Sequence, residues 1–400
     1  LTVIGVLGTS VRAQHATVER QRDTGSNTGS IDRSTMRLFL CGDVMPGRGI
    51  DQILAHPSNP RIYEPYVRSA DRYVELAERA HGLIPRGVNC DYVLGDVLAM
   101  LERVAPDARI VNLETAVTRS DSYWPGKGIN YRMNPDNIDC LTRLDIDCAV
   151  LANNHVLDWG YEGLEETLAT LSDAGIRTAG AGLNREQAAA PATIDLDDGR
   201  RVVVFSLGSL TSGIPPLWSA SDRHAGIWPL EGHSRASIEE IAARVRSVKR
   251  PGDLIVMSVH WGANWGYEIP AEQQRLAHAL IDDAGVDLVH GHSSHHPKGI
   301  EVHGGKLILY GCGDFLNDYE GISGHEAFRS DLSIAYLPEF DDRTGDLKRL
   351  RMQPLQMRRF QLRLASARDQ DWLARVLGRQ CARLGGRVEA RDDALELRWA

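Results

Sequence analysis

The chain has 400 residues, enough for one large domain or two ordinary ones, so length alone leaves the architecture open. Acidic residues outnumber basic ones by 54 to 45, a formal charge of −9, which argues against a nucleic-acid partner and against gripping an anionic polymer by broad electrostatics. An anionic substrate then needs local cations or a metal.

No stretch approaches the roughly 18 consecutive apolar residues of a membrane span, so no transmembrane segment is predicted. Cys41, Cys90, Cys140, Cys148, Cys312 and Cys381 are scattered without CxxC spacing and read as buried free thiols of a reducing compartment, which points to the cytoplasm. The alternative is export, because Leu1 to Gln14 carries a short apolar run followed by Val-Arg-Ala, like the tail of a truncated signal peptide.

In chain order, residues 1–35 are expected to be a disordered leader or the remnant of a targeting segment, since the polar run from Gln21 holds almost nothing apolar. Folded structure is expected from Met36. Apolar runs at Leu38 to Cys41, Arg109 to Val111, Cys148 to Leu151, Val202 to Phe205, Leu254 to Met257, Leu288-Val289 and Leu307 to Tyr310 suit buried strands. Between them, Leu164, Leu168 and Leu171 before Gly175, and Leu276, Leu280 and Ile281 before Gly285, have helical spacing with a glycine stop. The alternation predicts a largely parallel α/β core with its site in the loops after the strands. That domain is expected over 36–340. Residues 341–400 form an Arg-rich strand and helix extension packed on it, with the helix starting near Ser366.

Several apolar runs end in side chains of metal-ligand type. Asp43, Glu114, Asn154, His260, His292 and His295 are carboxylates, a carboxamide and imidazoles, and convergence at one end of neighbouring strands places them in one cleft. Taken singly, Asp43 fits a helix cap, Asn154 a turn residue and His260 a satisfied core histidine. Together with the cluster His290, His292, His295, His296 and His303, packing alone does not account for them. Mixed oxygen and nitrogen donors suit Mn, Zn, Fe, Mg or Co, as one or two ions, better than a thiolate site does.

The ordered set Cys41-Gly42-Asp43-Val44-Met45, Asn112-Leu113-Glu114-Thr115, Asn153-Asn154-His155, His260-Trp261-Gly262 and Gly291-His292-Ser293-Ser294-His295 resembles the motifs of the CapA, or poly-γ-glutamate synthesis protein, family. That family is a branch of the calcineurin-like metallophosphatase superfamily. The resemblance implies a four-layer α/β fold, a β-sandwich flanked by helices. It also implies Asp43 as first ligand, Glu114 as the bridging carboxylate, and Asn154, His260, His292 and His295 as further ligands. His155 takes the place of the proton donor, with Asp158 as its acidic partner one turn on. Two departures stand out: Met45 occupies the place of the histidine in the superfamily's Asp-x-His, and the closing pair reads Gly-His-x-x-His where Gly-His-x-His is usual.

Lys127 and Arg132, in a Gly- and Pro-containing loop, are candidate carboxylate or phosphate binders, and Trp265 and Glu268 are candidate walls of a substrate pocket. The resemblance implies a metal-dependent hydrolase acting on a γ-glutamyl polymer in capsule synthesis or processing. The alternatives are a non-catalytic accessory that binds polyglutamate beside a synthetase partner, and a general phosphoesterase acting on a phosphorylated small molecule. Asp314 and Asn317 are expected only as supports behind the ligands.

Overall fold

A computed structural model of the chain describes residues 34–232 and 234–400. All but the last two residues of the expected leader lie outside the described part. The first strand, β1 (Thr35–Val44), runs parallel to β2 (Ala108–Leu113), which in turn runs parallel to β3 (Cys148–Val150). A second sheet is centred on three parallel strands, β4 (Arg201–Gly208), β5 (Leu254–His260) and β6 (Leu288–His292). It is completed on one side by β7 (Ile300–His303) at the edge and β8 (Lys306–Leu309) between β7 and β6. The chain then returns to the first sheet. Here β9 (Asp314–Leu316) pairs with the carboxyl end of β1, while β10 (Leu332–Asp341) and β11 (Leu347–Arg358) extend the sheet on the far side of β1.

The apolar runs are continuous because both faces of these strands are covered. In β1, Leu38 and Leu40 point into a cluster shared with Val202, Val204, Leu254 and Val256 of the second sheet, so this cluster is the filling of a sandwich. Their neighbours Phe39 and Cys41 point the opposite way, into a layer formed by α1 (Asp71–His81), α2 (Cys90–Leu94), α3 (Asp96–Val104), α4 (Asp139–Thr142) and α5 (Gly160–Asp173). On the second sheet Val203, Phe205, Ile255 and Met257 face the layer of α6 (Arg185–Ala189), α7 (Arg235–Val248) and α8 (Ala271–Asp282). The period of two along a strand thus sorts one apolar run into two cores, and the result is a four-layer α/β arrangement. Each large aliphatic side chain fully buried this way contributes roughly 1.5–3 kcal/mol.

Residues after 341 are more strand-rich than the one strand and one helix expected. Besides β11 they supply Gln361–Leu364 and the hairpin Gly386–Arg391/Ala394–Trp399, all in the first sheet. The helix α9 (Ala367–Ala382) starts at Ser366, whose side chain accepts from the Asp369 amide, and it buries Leu373, Leu377 and Cys381 in the inner core.

One expectation about cysteine is corrected. Cys90 of α2 and Cys140 of α4 form a disulfide, with Cα atoms 4.9 Å apart, while Cys41, Cys148, Cys312 and Cys381 are free and buried. The two partners are 50 residues apart in sequence, so their pairing arises from helix packing and leaves no spacing signature. None of the helices among the described residues is long and apolar enough to cross a membrane.

Candidate metal centre

The parallel strands β1, β2, β3, β5 and β6 all end at one side of the sandwich, and the ligand-type side chains follow from them. The chain pair Gly42 and Gly313 makes this possible at β1. A Cβ on Gly42 would sit 1.7 Å from the Gly313 carbonyl oxygen, so only glycine permits the approach that sets Asp43 and Asp314 in register on adjacent strands. At β6, Ser293 has φ 98°, a conformation costing on the order of 1–3 kcal/mol, and its hydroxyl donates to the Gly262 carbonyl at 3.1 Å. This strained residue lies between His292 and His295, which both border the centre across the longer Gly-His-x-x-His spacing.

Two ligand sets share Asp43. The ligating atoms of Asp43, His260 and His292 lie within 4.8 Å of one another, as do those of Asp43, His295 and Asp314. The Glu114 carboxyl lies against that of Asp43 and sits 3.7 Å from His155 Nε2 and 3.8 Å from His260 Nε2. Asn154 joins through its Oδ1, 2.8 Å from His260 Nε2. All six sequence-predicted ligands therefore meet in one place.

Asp314 was underrated by the sequence. It contacts His295 Nδ1 at 2.8 Å and stands beside Asp43, while Met45 is fully buried. Asp314 thus offers an extra carboxylate where the first motif lacks its histidine. The visible signal was Gly313-Asp314 just after an apolar run, the same pattern as Gly42-Asp43. Supporting contacts are also built in. Asn112 donates to Asp43 at 2.7 Å, Asn153 donates to Asn112 at 3.1 Å, Asn317 donates to Asp314 at 2.8 Å, and the Ser258 hydroxyl lies 2.8 Å from His292 Nε2.

Electrostatics separate the acids from the imidazoles. Burial, with Asp314 next to it, pushes Asp43 up to about 7, and burial with Asp43 beside it pushes Glu114 well above the carboxylate range. Burial, with neighbouring imidazoles, holds His260 and His292 well below the usual histidine range. Burial is the largest influence on His295 and acts to lower it, but Asp314 and Asp43 together carry the net direction upward.

These residues fit a divalent cation. Asp43 Oδ2 and Glu114 Oε2 are buried without any hydrogen-bond partner, an arrangement that native interiors rarely leave uncompensated. Carboxylate, carboxamide and neutral imidazole donors together suit a hard or borderline ion.

The centre opens on a cleft of about 550 Å³ lined by Trp124, Lys127, Asn154, His155, Thr211 and His295. His155 Nδ1 lies 2.6 Å from Asp158 Oδ2, and the Tyr131 amide donates to the same oxygen at 2.7 Å, so the partner three places on does reach the ring. Burial is the largest influence on His155 and takes it down to about 4 against the pull of Asp158. Lys127 Nζ is 3.5 Å from Asp158 Oδ1 and lines the cleft. Trp265 borders a second arm of about 450 Å³ that shares Tyr131, Asn264, His295 and Tyr319 with the first.

Two expected substrate contacts are not where the sequence put them. The Arg132 guanidinium is buried against Trp159 and donates to Ser120 O, Asp121 Oδ1 and Asn59 O, so it braces the loop and is absent from the cleft wall. Glu268 is exposed and lines neither arm; its carbonyl receives Lys298 Nζ at 3.4 Å. In both cases a strand-adjacent loop position looked cleft-facing in sequence, and its local direction was set by turns that spacing does not reveal.

Residues 37–319 match the family described as bacterial capsule synthesis protein PGA_cap. The chain belongs to that family. The PGA_cap chain is 46% identical over 359 residues to a Mycobacterium tuberculosis protein named "Probable polyglutamine synthesis accessory protein", a match covering 90% of this chain and 94% of the relative. It is 26% identical over 278 residues to the PGA biosynthesis protein CapA of Bacillus subtilis, covering 69% of this chain and 62% of the relative. The capsule biosynthesis protein CapA of Bacillus anthracis is 22% identical over 290 residues, covering 72% and 61%. The PGA_cap match takes in every residue of the centre from Asp43 to Tyr319, and the CapA resemblance read from the motifs is shown by it.

Proposed function

We propose that this PGA_cap chain acts in the synthesis or processing of a γ-glutamyl polymer as a metal-dependent hydrolase. The observation that carries this reading is the placement of His155. Its Nδ1 is held by Asp158, and its Nε2 faces Glu114 at 3.7 Å on the open side of the centre.

Asp43, Glu114, Asn154, His260, His292, His295 and Asp314 would hold the cation, which supplies Lewis acidity toward a phosphoryl or acyl oxygen. The chain's own groups do the rest. A neutral His155 donates its Nδ1 proton to Asp158, which leaves the Nε2 lone pair free to take a proton from an attacking water and return it to the leaving group. The expected donor role therefore follows an uptake step. Lys127, flanked by the Gly126 and Gly128 backbone, offers a cation to a carboxylate or phosphate of the substrate in an otherwise acidic protein. Trp265 and Tyr319 provide apolar walls for the second arm.

The accessory reading is favoured by the name of the mycobacterial relative, and in it the same cleft binds polyglutamate beside a synthetase without turnover. The Cys90–Cys140 bond favours export, since such bonds persist in oxidising compartments. One experiment separates enzyme from accessory. The purified chain is loaded with Mn and offered a phosphomonoester, a phosphodiester and a γ-glutamyl amide, with polyglutamate binding measured in parallel. The hydrolase reading expects turnover of at least one class and its loss in Asp158→Asn. Metal-loaded protein that binds polyglutamate but turns over none of the three would establish the accessory.

A further inference from the structure

The described residues contain a second cluster of ligand-type side chains, away from the centre and using none of its residues. His278 and Asp282 lie four apart on α8 and share one helix face. Glu301 and His303 lie two apart on β7, the edge strand of the second sheet, and share one strand face. The two faces meet. His278 Nε2 is 2.9 Å from Glu301 Oε1, and His303 Nε2 is 2.9 Å from Asp282 Oδ2, so each imidazole reaches the carboxylate of the other element. The ligating atoms of His278, Glu301 and His303 fall within 4.8 Å of one another.

From this geometry we propose a structural zinc-class site made by His278, Asp282, Glu301 and His303, which clamps α8 to the edge strand β7. Two imidazoles and two carboxylates sum to the charge and donor number that a tetrahedral divalent transition ion takes. The nitrogen donors disfavour Mg and Ca, which take oxygen. The two imidazole rings stack with centroids 3.9 Å apart and planes within 5°, so one ring must turn to bring both in-plane lone pairs onto a shared ion. A tetrahedral ion at about 2.1 Å from each ligand wants donor atoms roughly 3.4 Å apart, a contraction within reach of partly exposed side chains. The Tyr310 hydroxyl donates to Glu301 Oε2 at 2.7 Å, the kind of outside contact that orients a ligating carboxylate. His278, Glu301 and His303 form the core of the set, and Asp282, held against His303, would swing in as the fourth ligand and close the shell, which makes the site a stabilising one.

The site stands independently of the proposed hydrolase activity, and its test does not use turnover. Metal-stripped full-length chain is dialysed against buffered Zn²⁺ with excess Mg²⁺, and bound zinc is counted by elemental analysis. Wild type should hold about one equivalent more than His278→Ala/His303→Ala, and zinc should raise the Tm of wild type more than that of the variant. Glu114→Gln should keep the extra equivalent. Should the alanine variant fail the circular-dichroism check for folding, Glu301→Gln/Asp282→Asn, which preserves shape, replaces it with the same expectation. Equal zinc content in wild type and a folded variant, or loss of the equivalent in Glu114→Gln, overturns the proposal.

Discussion

The first sheet brings oxygen donors to the candidate metal centre and the second brings nitrogen. Asp43, Asn112, Glu114, Asn154 and Asp314 follow or lie on strands of the first sheet, whereas His260, His292 and His295 follow those of the second. Each half is costly by itself. Asp43 sits in a buried place beside Asp314, where burial and the like charge raise it, and His260 Nδ1 lies 2.7 Å from His292 Nδ1, where at most one can carry the proton. The sandwich therefore holds two mismatched half-sites together through its shared apolar filling, and a cation relieves the acidic half most.

That difference makes the acidic half the more sensitive to replacement. Glu114→Gln is expected to lower turnover by roughly 10³-fold or more and to lower bound Mn in step. In the metal-free protein it should raise Tm, because glutamine keeps the volume while removing one of two crowded, buried acids that each leave an oxygen without a partner. Elemental analysis with calorimetry in chelator decides both points. A fall in the Tm of metal-free protein would mean that the acids are not in conflict, and the contrast between halves would go.

His260→Ala is the mirror experiment. Turnover and metal affinity should fall by roughly 10²-fold, and here the metal-free protein should be destabilised by about 1–3 kcal/mol, since Asn154 and His292 lose a buried partner. Urea titration in chelator measures it. Opposite signs for the two variants without metal, and the same sign with it, are what the two-half description requires.

Much of this division was visible in the sequence for a physical reason. Parallel strands covered on both faces read as continuous apolar runs, so their ends, where Asp43, Glu114, Asn154 and His260 stand, were easy to find, and the motif order carried the rest. Asp314 was harder to see, because its role depends on the Gly42–Gly313 approach, a contact between segments 271 residues apart. The Cys90–Cys140 bond depends on helix packing in the same way. Arg132 and Glu268 failed as cleft residues because the direction of a loop side chain is decided by local turns, on which apolar periodicity is silent.

Asp158→Asn touches neither half of the metal set and should leave bound Mn unchanged. Turnover is expected to fall by roughly 10²-fold, because the replacement amide offers the wrong partner to His155 Nδ1 and loosens the Tyr131 amide contact. A parallel loss of metal would place Asp158 among the ligand supports and weaken the assignment of His155 to proton transfer.

The smallest expected effect belongs to Lys127, and it is the most discriminating about substrate. Its side chain is only 11% exposed and sits 3.5 Å from Asp158 Oδ1, yet it also lines the cleft, so two roles are open to it. If it binds the substrate's carboxylate or phosphate, Lys127→Met should raise KM by roughly 10-fold with kcat nearly constant, and Lys127→Arg should restore most of the loss. If it acts through Asp158 on the His155 ring, kcat should fall while KM holds, and arginine should rescue poorly, since its planar fork does not reproduce a single ammonium contact in a space this enclosed. Steady-state kinetics of the two variants on whichever substrate class turns over separates these outcomes. A rise in KM that added salt reproduces in the wild type would tie the cleft to an anionic substrate, as expected of a γ-glutamyl chain meeting an otherwise acidic protein.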